Sequence, residues 1–138
     1  MALKDALAEI IDKLQEISDI RRVPDAPPAN NEQFPFAVVY PLTGTYEQQM
    51  TQLMKGLHNV NIELHVSLKD APRNYAQVMN LIDQIPNKLM KAHSDGEFEN
   101  LDTFGIIEYA FGPTEWAKVQ TLGVIYTITG VKVQTEVT

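Results

Sequence analysis

The chain has 138 residues, 18 acidic against 11 basic, and no cysteine. That length sets one domain, residues 1–138, with a single sizeable core. A formal charge of −7 gives no electrostatic reason to coat DNA or RNA, and the lack of thiols excludes disulfides, thiolate nucleophiles and cysteine-built zinc sites. Acids within the opening MALKDALAEI argue against a secretory leader, and no run approaches the roughly 18 apolar residues of a membrane helix.

Residues 2–19 put Leu3, Leu7, Ile10, Ile11, Leu14 and Ile17 on one side of a helix, with Lys4, Asp5, Glu9, Asp12, Lys13 and Glu16 opposite. Residues 20–35 hold four prolines and read as an extended connector lying along this chain's surface or along a partner. Phe36–Leu42 (FAVVYPL) is a short strand covered on both faces, with Pro41 marking an edge or an end. Residues 43–56, bracketed by Gly44 and Gly56, fit a strand tip, a long hairpin loop or a segment ordered on assembly. From His58 to Leu68 the alternation is strict: Val60, Ile62, Leu64, Val66 and Leu68 face a core, while Glu63 and His65 face water or a polar contact.

Asp70 is placed to cap the next helix, with Pro72 in its first turn. Tyr75, Val78, Met79, Ile82, Ile85 and Leu89 supply its stripe, and Pro86 predicts a kink or break near Ile85. Residues 93–105 form an acidic loop. Strands follow at Ile106–Phe111, Ala117–Ile128 and Val131–Val137, with a turn at Gly112-Pro113. The order implies an α+β fold: a mixed or antiparallel β-sheet with two helices packed on one face.

No catalytic set is visible in this pattern. His58 and His65 differ by an odd number and face opposite sides of one strand, so they do not share a metal. Asp95, Glu97, Glu99 and Asp102 lack the glycine offset of an EF-hand and read as a solvated or partner-facing loop. No serine sits in a nucleophile elbow and no glycine cluster cradles phosphate. Arg21-Arg22 suits a helix C-terminus, and Trp116 is either an exposed anchor or, the favoured reading, folded onto the core. Met50, Leu53 and Met54 are apolar for a free loop and tuck into this chain's core or a neighbour's.

Several segments resemble the tail terminator (tail completion) proteins of long-tailed bacteriophages. They are the helix 2–19, the run Arg21-Arg22-Val23-Pro24-Asp25-Ala26-Pro27-Pro28, the strand Phe36–Leu42 with its Tyr-Pro step, and the alternating strand 58–68. Asp70-Ala71-Pro72 and the strand 117–129 complete the likeness, which spans nearly the whole chain as a pattern, without a diagnostic motif. The resemblance implies an assembly protein and not an enzyme, with no catalytic residues, metal or cofactor. Such subunits form a homo-oligomeric ring, commonly a hexamer, that caps the tail tube, ends its growth and offers the head-tail joining surface. Implied partners are copies of itself, the tail tube protein and a neck or head-completion protein, with DNA passing through the lumen unbound and no membrane. The implied location is the head-proximal end of the virion tail, assembled in the host cytoplasm. Candidate interface residues are Tyr46, Gln48, Met50, Leu53 and Met54, and the loop Asp95–Asp102 is a candidate for the lumen or for a basic partner. The rival readings are another neck or tail component (a head-closure or tube-like subunit), a small ligand-binding α+β domain, or an enzyme with a dispersed site. A binder needs a deep apolar pocket, and an enzyme needs perturbed acids in a cleft.

Overall fold

In the computed structural model, which describes residues 2–30, 33–50, 52–69 and 71–136, the first apolar stripe forms helix α1 (Ala2–Gln15). It ends four residues earlier than its periodicity suggests, but Ile17, Ile20 and Val23 continue the buried series through turns. Arg21 and Arg22 therefore lie beyond the helix. Arg22 makes a parallel bridge to Phe36, and the Arg21 amide donates to the Pro35 carbonyl at 2.9 Å.

Strand β1 (Phe36–Met50) and strand β2 (Leu53–Val66) make one long antiparallel hairpin. The uncertain stretch 43–56 is thus ladder on both sides of a tight tip. A bulge at Leu42 shifts the register between Pro41 and Thr43. Two helices follow, α2 (Ala71–Leu81) and α3 (Gln84–Ser94). The break falls at Ile82–Asp83, and Pro86 sits in the first turn of α3, where its missing N–H costs nothing. The Tyr126 hydroxyl donates to the Ile82 carbonyl at 2.6 Å, occupying an acceptor the break leaves open. The cap expected from Asp70 and the end of the last strand at Val137 lie outside the described residues.

The chain closes with β3 (Leu101–Thr103), β4 (Ile107–Trp116) and β5 (Val119–Glu136). Gly112-Pro113 is not a turn. It pairs with Gly123 and Leu122 inside β4, an edge strand where proline leaves no ladder bond unmade. The turn is Ala117-Lys118, both at positive φ (50° and 67°), a geometry usually signalled by Asn-Gly. At Gly130 (φ 64°) a bulge lets β5 run on past Ile128 as one strand.

The result is an α+β fold built on a five-stranded antiparallel sheet in the order β1-β2-β5, with β4 and β3 sharing the far edge of β5. The two helical arms, α1 and the broken α2–α3, cover one face. There Ile10, Leu14, Val78 and Ile85 bury Val60, Ile62, Leu64, Val124 and Tyr126. Tyr75 and Met79, expected in the stripe, are exposed, because the break at Ile82 turns α2 so that Val78 and Leu81 make the contact. Leu68 lies past the end of β2 and is exposed as well.

Candidate functional site

The second face of the sheet, free of helices, was expected to be wet at Glu63 and His65. It is not: His65 is 0% exposed and Glu63 8%. The strand phase is right, since Val60, Ile62, Leu64 and Val66 all face the helices. The error lies in the cover. The described parts of the Pro-rich connector, residues 23–30 and 33–35, fold back as a strap over this face. Trp116 at the end of β4 donates its indole N–H to the Pro28 carbonyl at 3.1 Å. Phe36 stacks on the His65 ring with centroids 5.0 Å apart, Trp116 tilts over it at 5.7 Å, and Phe34 lies 5.5 Å from Phe36.

Under this roof runs a hydrogen-bonded relay. Glu63 Oε1 lies 3.0 Å from His65 Nε2, and the other carboxylate oxygen accepts from the Tyr40 hydroxyl. His65 Nδ1 and Thr121 Oγ1 are 2.6 Å apart, and Thr121 is in turn 2.6 Å from Thr114 Oγ1. On the other side Asn61 Nδ2 donates to the Tyr40 oxygen at 3.3 Å, and Thr127 donates to Asn61 Oδ1 at 2.9 Å. An ionised carboxylate only accepts, so Nε2 carries a proton toward Glu63. With the ring neutral, Thr121 donates to Nδ1 and Thr114 to Thr121. The protons on Thr114, Thr121, His65, Asn61 and Tyr40 then all point along the chain toward the one carboxylate.

Burial pushes the Glu63 carboxyl up, but the hydrogen bonds from His65 and Tyr40 outweigh it and hold the group below its ordinary value. The Tyr40 phenol is raised by burial and by its bond to Glu63. Carboxylate, imidazole and threonine hydroxyl stand in the order of an acyl-transfer triad. Thr121 is 0% exposed, however, so its hydroxyl is beneath the surface and out of reach of a substrate in this conformation.

Sequence reasoning missed this relay. Its signal was available: Asn61, Glu63 and His65 are three consecutive hydrogen-bonding residues on one strand face, too many for plain solvation. His58 was also missed as a buried group. Its ring lies over Gly44 and Gly56, where a Cβ would collide with it, and meets Tyr46 edge-on at 5.2 Å. The bracketing glycines are therefore a seat for an imidazole, and burial lowers the pKa of His58.

The proposed interface residues cluster at the far end of the β1–β2 hairpin. Tyr46 and Gln48 are exposed, Leu53 and Met54 are half-buried, and the side chain of Met50 lies outside the described residues. Every residue from 41 to 49 is exposed. A second apolar surface, unanticipated, lies at the opposite edge of the sheet: Ile106, Tyr109 and Phe111 are exposed, and Tyr75 of α2 meets Phe111 edge-on at 5.9 Å.

Three of the four loop acids are held by this chain's own lysines: Glu97 by Lys13 at 3.0 Å, Asp95 by Lys91 at 3.2 Å and Asp102 by Lys132 at 3.4 Å. The loop is tied further by the Glu9 carboxylate, which accepts the amides of Glu99, Asn100 and Leu101. Among the described residues no three histidine, aspartate or glutamate groups converge to hold a metal. A cleft of about 350 Å³ between the end of α1 and α3 is lined by polar and charged residues, Glu16, Ser18, Asp83, Gln84, Asn87 and Lys88, beside a single Ile17. Among the described residues no helix is long and apolar enough to cross a membrane. No family model matches the chain, and no curated protein shows significant similarity to it.

Proposed function

We propose that this chain is a non-catalytic structural subunit that assembles with its own copies into a hexameric ring at the head-proximal end of a long-tailed phage tail. There it caps the tube and presents the surface that meets the neck. The observation that carries the reading is the pair of open sheet edges. From Pro41 to Gln49 the edge strand β1 is exposed along its length, with Leu42 (54%) and Tyr46 (58%) displayed on it. Free-standing proteins blunt such edges with lysines, prolines and bulges. Here residues 36–50 contain no Lys or Arg, and the strand is interrupted by Pro41, the Leu42 bulge and a register shift between Gln48 and Met50 near the hairpin tip.

The opposite edge, β4, carries the exposed apolar set Ile106, Tyr109 and Phe111. Two different unpaired edges on opposite sides of one sheet suit a heterologous interface, the kind that closes into a ring. The resemblance read in the sequence supplies the setting: the tail tube and neck as partners, the virion as location, and DNA passing through the lumen.

The test is assembly. Electron microscopy of the purified chain is expected to show rings with a hole of duplex width. Tyr46→Glu with Leu57→Glu changes two residues already exposed in the subunit, 58% and 39%, and is expected to leave a folded monomer that forms no ring. A phage lacking the gene is expected to yield filled heads apart from overlong or uncapped tails. Uniform monomers at high concentration, or normal infectious particles from that phage, would overturn the proposal.

A further inference from the structure

From the geometry of the helix-free face we infer that Glu63 is the hub of an acid-sensitive latch: protonating it breaks the relay, frees His65 and releases the described strap residues around Pro28 from the sheet. The inference is independent of the assembly reading and rests on contacts within one chain.

Three observations combine. The first is the direction of the protons. His65 Nε2–H and the Tyr40 hydroxyl both donate to Glu63, so a protonated Glu63 meets two donors where it needs an acceptor. The second is the enclosure. His65 is 0% exposed, so a ring whose Nε2–H loses its acceptor is left with a buried, unsatisfied donor. Its route to water is past Phe36 and Trp116. The third is the fastening. Trp116 roofs His65 and also holds the strap through its bond to Pro28, so moving one ring disturbs both. The strap is anchored at its start, where Gln15 donates to the Val23 carbonyl at 3.0 Å and Val23 is buried in the core, and near its ends by the backbone bonds from Arg21 to Pro35 and from Ala37 to Arg22; over its middle the described fastening is Trp116.

The charged surroundings leave Glu63 in command. On this face β1 contributes Tyr40, β2 contributes Asn61, β5 contributes Thr121 and Thr127, and β4 contributes Thr114 and Trp116. The register also puts exposed Glu108 of β4 on this side, opposite Thr127, and the strap carries exposed Asp25. Among the described residues no lysine or arginine pairs with Glu63. Because the carboxyl is held below its ordinary value of 4.5, release belongs below that pH.

Trp116 is the sole tryptophan, so its indole N–H gives one unambiguous resonance and its emission one signal. In the wild-type chain the indole proton is expected to be protected at pH 7. Below pH 4.5 it is expected to exchange at least about tenfold faster after correction for intrinsic rate, with red-shifted emission, while far-ultraviolet circular dichroism still shows the sheet. Glu63→Gln, a neutral shape mimic, is expected to expose the indole already at pH 7 and to abolish the acid transition. Tyr40→Phe keeps the carboxylate but removes a bond that favours it, so the transition is expected to move to higher pH. The inference is overturned if Glu63→Gln keeps wild-type protection and the wild-type transition, if Tyr40→Phe leaves the midpoint where it was, or if strap and sheet are lost together in the wild type.

Discussion

Gly123→Ala is expected to destabilise the domain by about 3 kcal/mol or more, because the added methyl has no place to go. A Cβ at Gly123 would overlap the Leu64 carbonyl oxygen of the neighbouring strand and come within 2.7 Å of Thr114 Oγ1. The first obstacle is backbone in the middle of the sheet, so relief requires parting β2 from β5. The second is a member of the relay. A loss of that size lowers the melting temperature of a domain this long by roughly 10 °C. Thermal denaturation followed by circular dichroism measures it directly. A variant that melts with the wild type would show that β2 and β5 do not approach as closely as described.

His65→Ala is the second large effect, expected at about 3–5 kcal/mol near neutral pH. The change empties a fully enclosed site between Phe36 and Trp116. It also leaves the Glu63 carboxylate buried with only Tyr40 to donate to it. A second signature separates this from a simple cavity. Glu63 is held below its ordinary value in the folded chain, so its contribution is complete above pH 4.5 and is lost as pH falls through the folded value. Without His65 the main donor is gone, and the acid limb of the stability curve is expected to flatten. Urea denaturation of both proteins between pH 3 and 7 provides the comparison. Parallel curves, offset by a constant, would mean that the pair makes no electrostatic contribution.

Much of the helix-facing half was readable residue by residue. Ile10, Ile11 and Leu14 recur at helical spacing, and Val60, Ile62, Leu64 and Val66 alternate without a fault; each set is buried as its period implies. The α+β class followed from those periods and their order. The turn at Ala117-Lys118 escaped because neither residue carries a turn signal, while Gly112-Pro113 carries one and lies in an edge strand that tolerates it. The span 43–56 escaped because its apolar residues Tyr46, Met50, Leu53 and Met54 are too sparse among glutamines and threonines to mark a two-residue period, and because the role of its glycines depends on His58, a residue outside the bracket.

The sequence by itself determined the phase of α1 and of β2, that is, which side chains share a face, because backbone geometry ties phase to spacing. Only the tertiary structure decided what covers each face. Glu63 and His65 point away from the helices as alternation requires, yet they are enclosed by the strap around Pro28 and by Trp116, which approach from far along the chain. Period measures local direction, whereas burial depends on which distant segment arrives. A polar row such as Asn61, Glu63 and His65 reads as solvent-facing until proline-bound chain is laid across it, and only then does it become a closed relay centred on a single carboxylate.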